Sequence, residues 1–255
     1  MSSILSNKLN LLFSFILMVA INTKAATINV TTLSDIVNAG DGVTSFREAI
    51  TQANLAADSD IISFDGGLNG AIIFEAVNGG LILRSAATIN GDNRISLDGS
   101  NTTLPILSIN DLVNGATINV TLSNLIIVNA DSGTSAISSG ENLTVLNCTF
   151  QNNGSGITMA SNPSNLTLVD SQFINHTQTA VDAKTVDVDN SQFTGNNHDA
   201  GQSSSLSTVF SATGGTIDDS IFTNNDINAI SSLAGKDVTI KLPLIRYAVF
   251  RGNCI

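Results

Sequence analysis

Between residues 118 and 240 apolar side chains recur at every second position in short runs, and the runs recur as a block. LTVLNCTFQNN (143–153), LTLVDSQFINH (166–176) and VDVDNSQFTGN (186–196) superpose without gaps; GTIDDSIFTNN (215–225) and INVTLSNLIIV (118–128) follow the same frame. Leu125, Phe150, Phe173, Phe193 and Phe222 anchor the register, 25, 23, 20 and 29 residues apart. Five positions before the anchor stand Val120, Val145, Leu168, Val188 and Ile217, and seven before it Ile118, Leu143, Leu166, Val186 and Gly215. Apolar residues two apart mark one face of a strand. Two before the anchor is a small-residue column, Ser123, Cys148, Ser171, Ser191 and Ser220. Three before it come Asn147, Asp170, Asn190 and Asp219, with Leu122 out of pattern. Asn and Asp tolerate the left-handed backbone region, so this column predicts a sharp bend between two strands. Three after the anchor stand Asn153, His176, Asn196 and Asn225, with Val128 out of pattern. A second short strand is expected at Ala136-Ile137, Gly156-Ile157, Ala180-Val181 and Ala229-Ile230.

Strand, bend, strand, turn, strand in units of 20–29 residues predicts an all-β fold, a parallel β-helix. No single unit can bury its own apolar face, so units stack, and Phe, Ser and Asn are expected to form ladders along the axis. Leucine-rich repeats have units of similar length, but their L-x-x-L-x-L-x-x-N spacing and helical stretches are missing. The repeat is placed at residues 101–241. Residues 242–255 (LPLIRYAVFRGNCI) read as an atypical tail. Asp237-Val238-Thr239-Ile240 opens another unit, but Leu242, Pro243 and Ile245 break its columns, and Pro cannot donate to a ladder. The last coil is then imperfectly covered, and its edge invites self-association.

Residues 26–100 depart from the anchor pattern. TINVTT (27–32) reads as a strand and Asp41-Gly42 as a turn. Ser45 and Glu48 are spaced as a capping box. Behind them SFREAITQANLAA (45–57) sets Phe46, Ile50, Ala53 and Ala57 at helical spacing. Short strands follow at IISF (61–64), AIIF (71–74), ATIN (87–90) and RISL (94–97). A helix ahead of a β-solenoid has an evident job: it covers the first coil, whose open edge would template aggregation.

TSFREAITQAN (44–54), DIISFDG (60–66), LILRSAATINGD (81–92) and ISLDGS (95–100) together resemble the CSLREA domain, found at the N-terminus of secreted bacterial β-helix proteins. Thr44 stands where that domain usually has Cys, and Phe46 where it has Leu, so any disulfide from that Cys is absent. FQNN (150–153), FINH (173–176), FTGN (193–196) and FTNN (222–225) are similar to repeats of the polymorphic outer-membrane proteins, without their companion G-G-A-[ILV] motif. The resemblances span residues 27–241. They imply a right-handed parallel β-helix of the pectin-lyase-like type, with residues 26–100 as cap and first coils, in a bacterial surface or adhesin-like protein. They transfer no catalytic, cofactor-binding or metal-ligating residue.

Composition agrees with this fold. Charged residues are 12% of the chain, against about 25% in an average domain, while Asn occurs thirty times. The net charge of −11 argues against nucleic acid or anionic membrane surfaces as partners, since both select basic patches. At the N-terminus, Lys8 precedes the almost wholly apolar Leu9–Ile21, and Thr23-Lys24-Ala25 offers small residues before a cleavage point. Residues 1–25 therefore read as a signal peptide. The apolar run is shorter than the roughly 20 residues of a membrane-spanning helix, so no stable membrane insertion is expected after cleavage. The expected location is secreted or cell surface. Cys148 and Cys254 allow one long-range disulfide there. The place of Cys148 in the serine column instead predicts a buried, unpaired thiol.

Candidate chemistry is sparse. Asp218-Asp219 is the only adjacent acidic pair, and glycoside hydrolysis needs two carboxylates flanking a bond. Asp219, however, falls in the bend column. A lyase needs a base with Arg or a metal to stabilise the developing charge, and residues 116–235 hold no Arg and only Lys184. His176 reads as a turn-facing polar residue, and His198 lies in a polar loop near Asp199. Asp182, Asp187 and Asp189 around Lys184 have ligands suited to Ca²⁺, but the G-G-x-G-x-D nonapeptide is missing and solvated strand-edge charge is the plainer reading. The eight N-x-[ST] sequons follow from an Asn- and Thr-rich composition. The expected function is a non-catalytic binding or structural module for host-surface or glycan ligands, with no cofactor or metal. A polysaccharide lyase or glycoside hydrolase on the same fold is the alternative.

Overall fold

Alternating apolar runs that bury only one face must pair sideways, and here each run pairs with the equivalent run one turn of chain further on. The computed structural model describes residues 25–55, 58–113, 117–159, 164–196, 207–225, 228–232 and 238–241. Residues 1–24, which hold most of the expected signal peptide, His198, Cys254 and the tail 242–255 lie outside them. The first coil holds β1 (Thr27–Val30) and leads into α1 (Phe46–Ala53). The second holds β2 (Asp60–Phe64), β3 (Gly70–Ile73) and β4 (Leu81–Leu83). Next come β5 (Ala87–Asp98), β6 (Leu107–Ile109), β7 (Asn119–Val128) and β8 (Ser135–Ser139). β9 (Asn142–Leu146), β10 (Thr149–Gln151) and β11 (Ser155–Met159) form the next coil. They are followed by β12 (Asn165–Val169), β13 (Gln172–Ile174), β14 (Val181–Asp189) and β15 (Gln192–Thr194). The last are β16 (Ser207–Asp218), β17 (Ile221–Thr223), β18 (Asn228–Ser232) and β19 (Val238–Lys241).

Every described pairing is parallel, and the strands stack into three faces. The first runs β1, β2, β5, β7, β9, β12, β14, β16, β19. The second runs β3, β5, β7, β10, β13, β15, β17. The third runs β4, β6, β8, β11, β14, β16, β18. The long strands β5, β7, β14 and β16 turn a corner and serve two faces. This is the parallel β-helix that the repeat predicts. The predicted ladders form: Phe150, Phe173, Phe193 and Phe222 stack with centroids 4.8, 5.0 and 4.7 Å apart and planes within 8° of parallel.

One part of the register differs. Phe150 pairs with Ile127, not Leu125, so the frame of 118–128 moves by two residues. Val120 then meets Leu143, Leu122 meets Val145, and Asn124 takes the bend with φ 55°. The exception at Leu122 disappears, while the place three after the anchor passes from Val128 to Ala130, still without an amide side chain. Leu125 stands in the small-residue column because Gly91, on the preceding coil, makes room for it: a Cβ on Gly91 would lie 2.5 Å from Leu125 Cδ2. The remaining bends are as expected, with Asn147, Asp170, Asn190 and Asp219 at φ 51°, 53°, 45° and 43°. The second short strands also fall where predicted, with one more at Val209 between those of Val181 and Ile230.

The N-terminal residues share these ladders. Thr27 pairs with Ile61, Ile61 with Thr88 and Thr88 with Thr121, so one stack runs from the first strand onward. ATIN and RISL are halves of the single bent strand β5. The capping box at α1 is complete: Ser45 Oγ accepts the Glu48 N–H at 3.2 Å, and Glu48 accepts the Ser45 N–H at 2.9 Å. The helix ends at Ala53, short of the predicted stripe; Ala57 lies outside the described residues. Phe46, Ala49, Ile50 and Ala53 are buried, and Phe46 stacks on Phe64 at 5.7 Å. Arg47 is pinned beside them, its Nε and Nη2 donating to Asp35 at 2.8 and 2.9 Å. At the other end Val238 and Ile240 pair with Gly215 and Ile217, as their spacing predicts. Among the described residues no helix is long and apolar enough to cross a membrane.

Candidate functional site

Each unit closes its second-face strand with two polar residues of different duty. The residue two after the anchor bends the chain: Asn152, Asn175, Gly195 and Asn224 take φ 56°, 55°, 62° and 53°. The residue three after turns inward, and Asn153, His176 and Asn196 are wholly buried. A buried amide must find partners, and it finds them on the preceding coil. Asn153 Oδ1 accepts the Ala130 N–H at 2.8 Å while its Nδ2 donates to the Ile127 carbonyl at 3.0 Å. Asn196 likewise accepts from His176 N–H and donates to the Phe173 carbonyl, and Asn225 accepts from Asn196 N–H and donates to the Phe193 carbonyl. His176 is therefore a core residue, not the turn-facing one that its column suggested. Its Nδ1 accepts the Asn153 N–H at 3.3 Å, and its Nε2 is buried without a partner. Burial pulls its pKa down to about 4, so the ring is neutral near pH 7.

The serine column is a second ladder of the same kind. The N–H groups of Cys148, Ser171 and Ser191 donate to the hydroxyls of Ser171, Ser191 and Ser220 at 3.1–3.3 Å. Cys148 is buried and unbridged, and burial pushes its thiol up to about 11. These interior groups are engaged in structure and offer nothing to a ligand.

The outward side of the first face is different. Thr88, Thr121, Thr144 and Thr167 stand in register on successive coils, between buried neighbours, and each is partly exposed. Among the described residues none of their hydroxyls has a hydrogen-bond partner. On one side of the row Asn142 Nδ2 donates to Asn119 Oδ1, and Asn142 Oδ1 accepts the Asn165 N–H, both at 3.0 Å. Toward the bend, Asn124 Nδ2 donates to Asn90 Oδ1 at 2.9 Å and Asn147 Nδ2 to Asn124 Oδ1 at 2.7 Å. The amides are thus tied along the axis, while the threonine hydroxyls are not. The row ends at Asp187, whose carboxylate accepts the N–H and hydroxyl of Thr216 at 2.9 and 2.8 Å. Asp189 and Asp218 continue the acidic character beside it. This column lies six before the anchor, and the two-residue slip at 118–128 hid it by putting Asn119 in the place of Thr121.

The acidic residues that the sequence singles out are scattered. Asp219 is in a bend, and its amide is held by Asp218 Oδ1 at 3.0 Å. Asp182 lies on the third face, with its carboxyl pulled upward by burial, while Asp187 and Asp189 lie on the first. Among the described residues no three His, Cys, Asp or Glu side chains gather as a metal site.

A family model described as a right-handed β-helix region matches residues 112–242, about half of the chain. No curated protein matches it.

Proposed function

The chain belongs to the right-handed β-helix family, and from that premise we propose that it is a non-catalytic, exported binding module of the adhesin-like kind. Its ligands are host-surface or glycan groups, and its place is secreted or at the cell surface. The observation that carries this reading is the outward first face, where four successive coils present neutral hydroxyls and amides in register. A repeated neutral array suits adhesion to a repeated surface; the family itself includes many chemistries, and fold decides none of them. The likeness of residues 44–100 to the CSLREA domain and of the F-x-x-N segments to polymorphic outer-membrane repeats supports a bacterial, exported setting, as does the signal-like segment 1–25. The net charge of −11 disfavours nucleic acid as a partner.

The test is a glycan array run beside a polysaccharide-cleavage screen on the purified protein. Binding without release of reducing or unsaturated ends is expected. Release of such ends would replace this reading with the lyase or hydrolase alternative.

A further inference from the structure

We infer that Asp60 is the seat of the protein's own α-ammonium group, set free at Ala26 when the signal segment is cut off after Ala25. The inference rests on the exported reading and adds to it a consequence of processing inside the fold. Ala26 N–H donates to Asp60 Oδ1 at 2.8 Å, and the Ala26 carbonyl accepts the Ile61 N–H at 2.8 Å. Both polar groups of Ala26 are thus gripped by the first two residues of β2, just ahead of β1. Ala25 and Ala26 are exposed, whereas Asp60 is only 3% exposed. A buried carboxylate is costly unless a cation meets it. The other buried aspartate, Asp35, has Arg47, but among the described residues Asp60 has no Lys or Arg partner. Two residues earlier, Asp58 Oδ2 is buried with no hydrogen-bond partner among them. The start of β2 therefore holds two carboxylates short of positive charge. One of them already touches the backbone nitrogen that cleavage charges.

Hydrolysis of the Ala25–Ala26 peptide bond by a signal peptidase consumes one water. The C–N bond breaks, the water oxygen completes a carboxylate on Ala25, and both water protons end on the Ala26 nitrogen. An α-amino group titrates at about 8, so the product is an ammonium at pH 7. A neutral amide donor thereby becomes a cation on the same carboxylate oxygen, and charge-assisted bonds are roughly twice as strong. The position is selective. One residue of strand spans about 3.3 Å, so an amine at Ala25 or Thr27 falls out of reach of Asp60. A precursor that still carries residues 1–25 has only the weaker bond, and the first coil reaches full strength after export.

The test is urea unfolding at pH 7 of three chains: residues 26–255 with a free Ala26 amine, the same chain acetylated at that amine, and a chain starting at Ala25. Each is made with and without Asp60→Asn. Acetylation and the one-residue extension are each expected to lower the folding equilibrium constant about tenfold, the difference between a charged and a neutral donor. Asp60→Asn is expected to cost about tenfold more in the free-amine chain than in the acetylated one. If Asp60→Asn does not fold, the acetylated and extended chains with Asp60 intact still decide. Equal midpoints for free and acetylated chains would overturn the inference and leave export standing. Mass spectrometry of the full chain expressed in an exporting bacterium checks the premise. An N-terminus at Ala26 supports it, and a cut elsewhere overturns the inference alone. An uncut chain retained inside the cell removes the exported reading itself.

Discussion

His176 Nδ1 accepts the Asn153 N–H at the place where asparagine amides serve the neighbouring coils. Those asparagines do a second thing: Asn153, Asn196 and Asn225 each donate Nδ2 to a carbonyl of the preceding coil at 3.0 Å. The imidazole meets that coil through Nδ1 alone, 3.3 Å from the Asn153 nitrogen and 3.4 Å from its carbonyl oxygen, and its Nε2 is left orphaned. His176→Asn is therefore expected to stabilise the protein by about 1–2 kcal/mol, as an unpaired donor is replaced by a bonded one. A rise in the urea midpoint with unchanged slope checks this; a fall would mean that the column does not accept Asn at this coil.

The same residue gives the fold an acid dependence of known sign. In the unfolded chain a histidine takes its proton near pH 6.5, whereas folded His176 resists until about pH 4. Within that window the unfolded state binds more protons, so this contribution is full above pH 6.5 and shrinks as pH falls toward 4, by on the order of 3 kcal/mol. Urea midpoints of wild type and His176→Asn at pH 7 and pH 4 isolate the effect, because carboxylates common to both cancel. Parallel pH profiles would show that the folded ring titrates normally.

Phe173 lies between Phe150 and Phe193, with ring centroids 4.8 and 5.0 Å away. Phe173→Ala opens a cavity between two stacked rings and is expected to cost about 3–5 kcal/mol. Thermal melting is the readout. A variant that melts with wild type would contradict the stack.

Cys148→Ser is expected to be mild, within about 1 kcal/mol. The thiol already occupies a serine rung and lies 3.4 Å from the Leu146 carbonyl, as Ser171 Oγ lies 2.9 Å from that of Val169. With its pKa near 11 and its side chain buried, native Cys148 should react with a thiol reagent at pH 8 only as fast as the protein opens. Immediate labelling of native protein at Cys148 would count against this.

Asp35 accepts two bonds from Arg47 and a third from the Glu75 N–H at 3.0 Å, joining the loop after β1 to α1 and to the turn before β4. Asp35→Ala leaves a buried guanidinium unpaired and is expected to cost about 3–5 kcal/mol. Early proteolytic cleavage between residues 31 and 44 would accompany that loss; unchanged resistance would show that the pair is dispensable.

The stacking columns are legible in the sequence because Phe and Ser recur at coil intervals with no gaps between 143 and 196. The frame at 118–128 is not, because Leu125 and Ile127 both point inward, and a slip of two residues keeps the same face inside. Asn124, the residue with positive φ, carries the missing signal. The duties of the paired Asn residues are hidden in FQNN and visible in FTGN, where Gly195 marks the left-handed position and leaves Asn196 to turn inward. The strand at Val209 falls in the 29-residue interval between Phe193 and Phe222, where local spacing gives no frame. The threonine row is obscured by the same slip, and its free hydroxyls are a property of neighbours that only the stacked coils supply.

Both interior polar ladders point the same way along the axis. The amides of Cys148, Ser171 and Ser191 are received by serines one coil later, and those of Ala130, Asn153, His176 and Asn196 by the next Asn or His. Within these two interior ladders a coil is thus sealed by its successor, while the opposite end is closed by α1. Assembly of such a chain has a direction. Growth that starts on the helix-covered base leaves one unsealed rung at a time, whereas growth from the far end begins with none of its foundation in place, so the polarity of the ladders matches a chain that arrives N-terminus first.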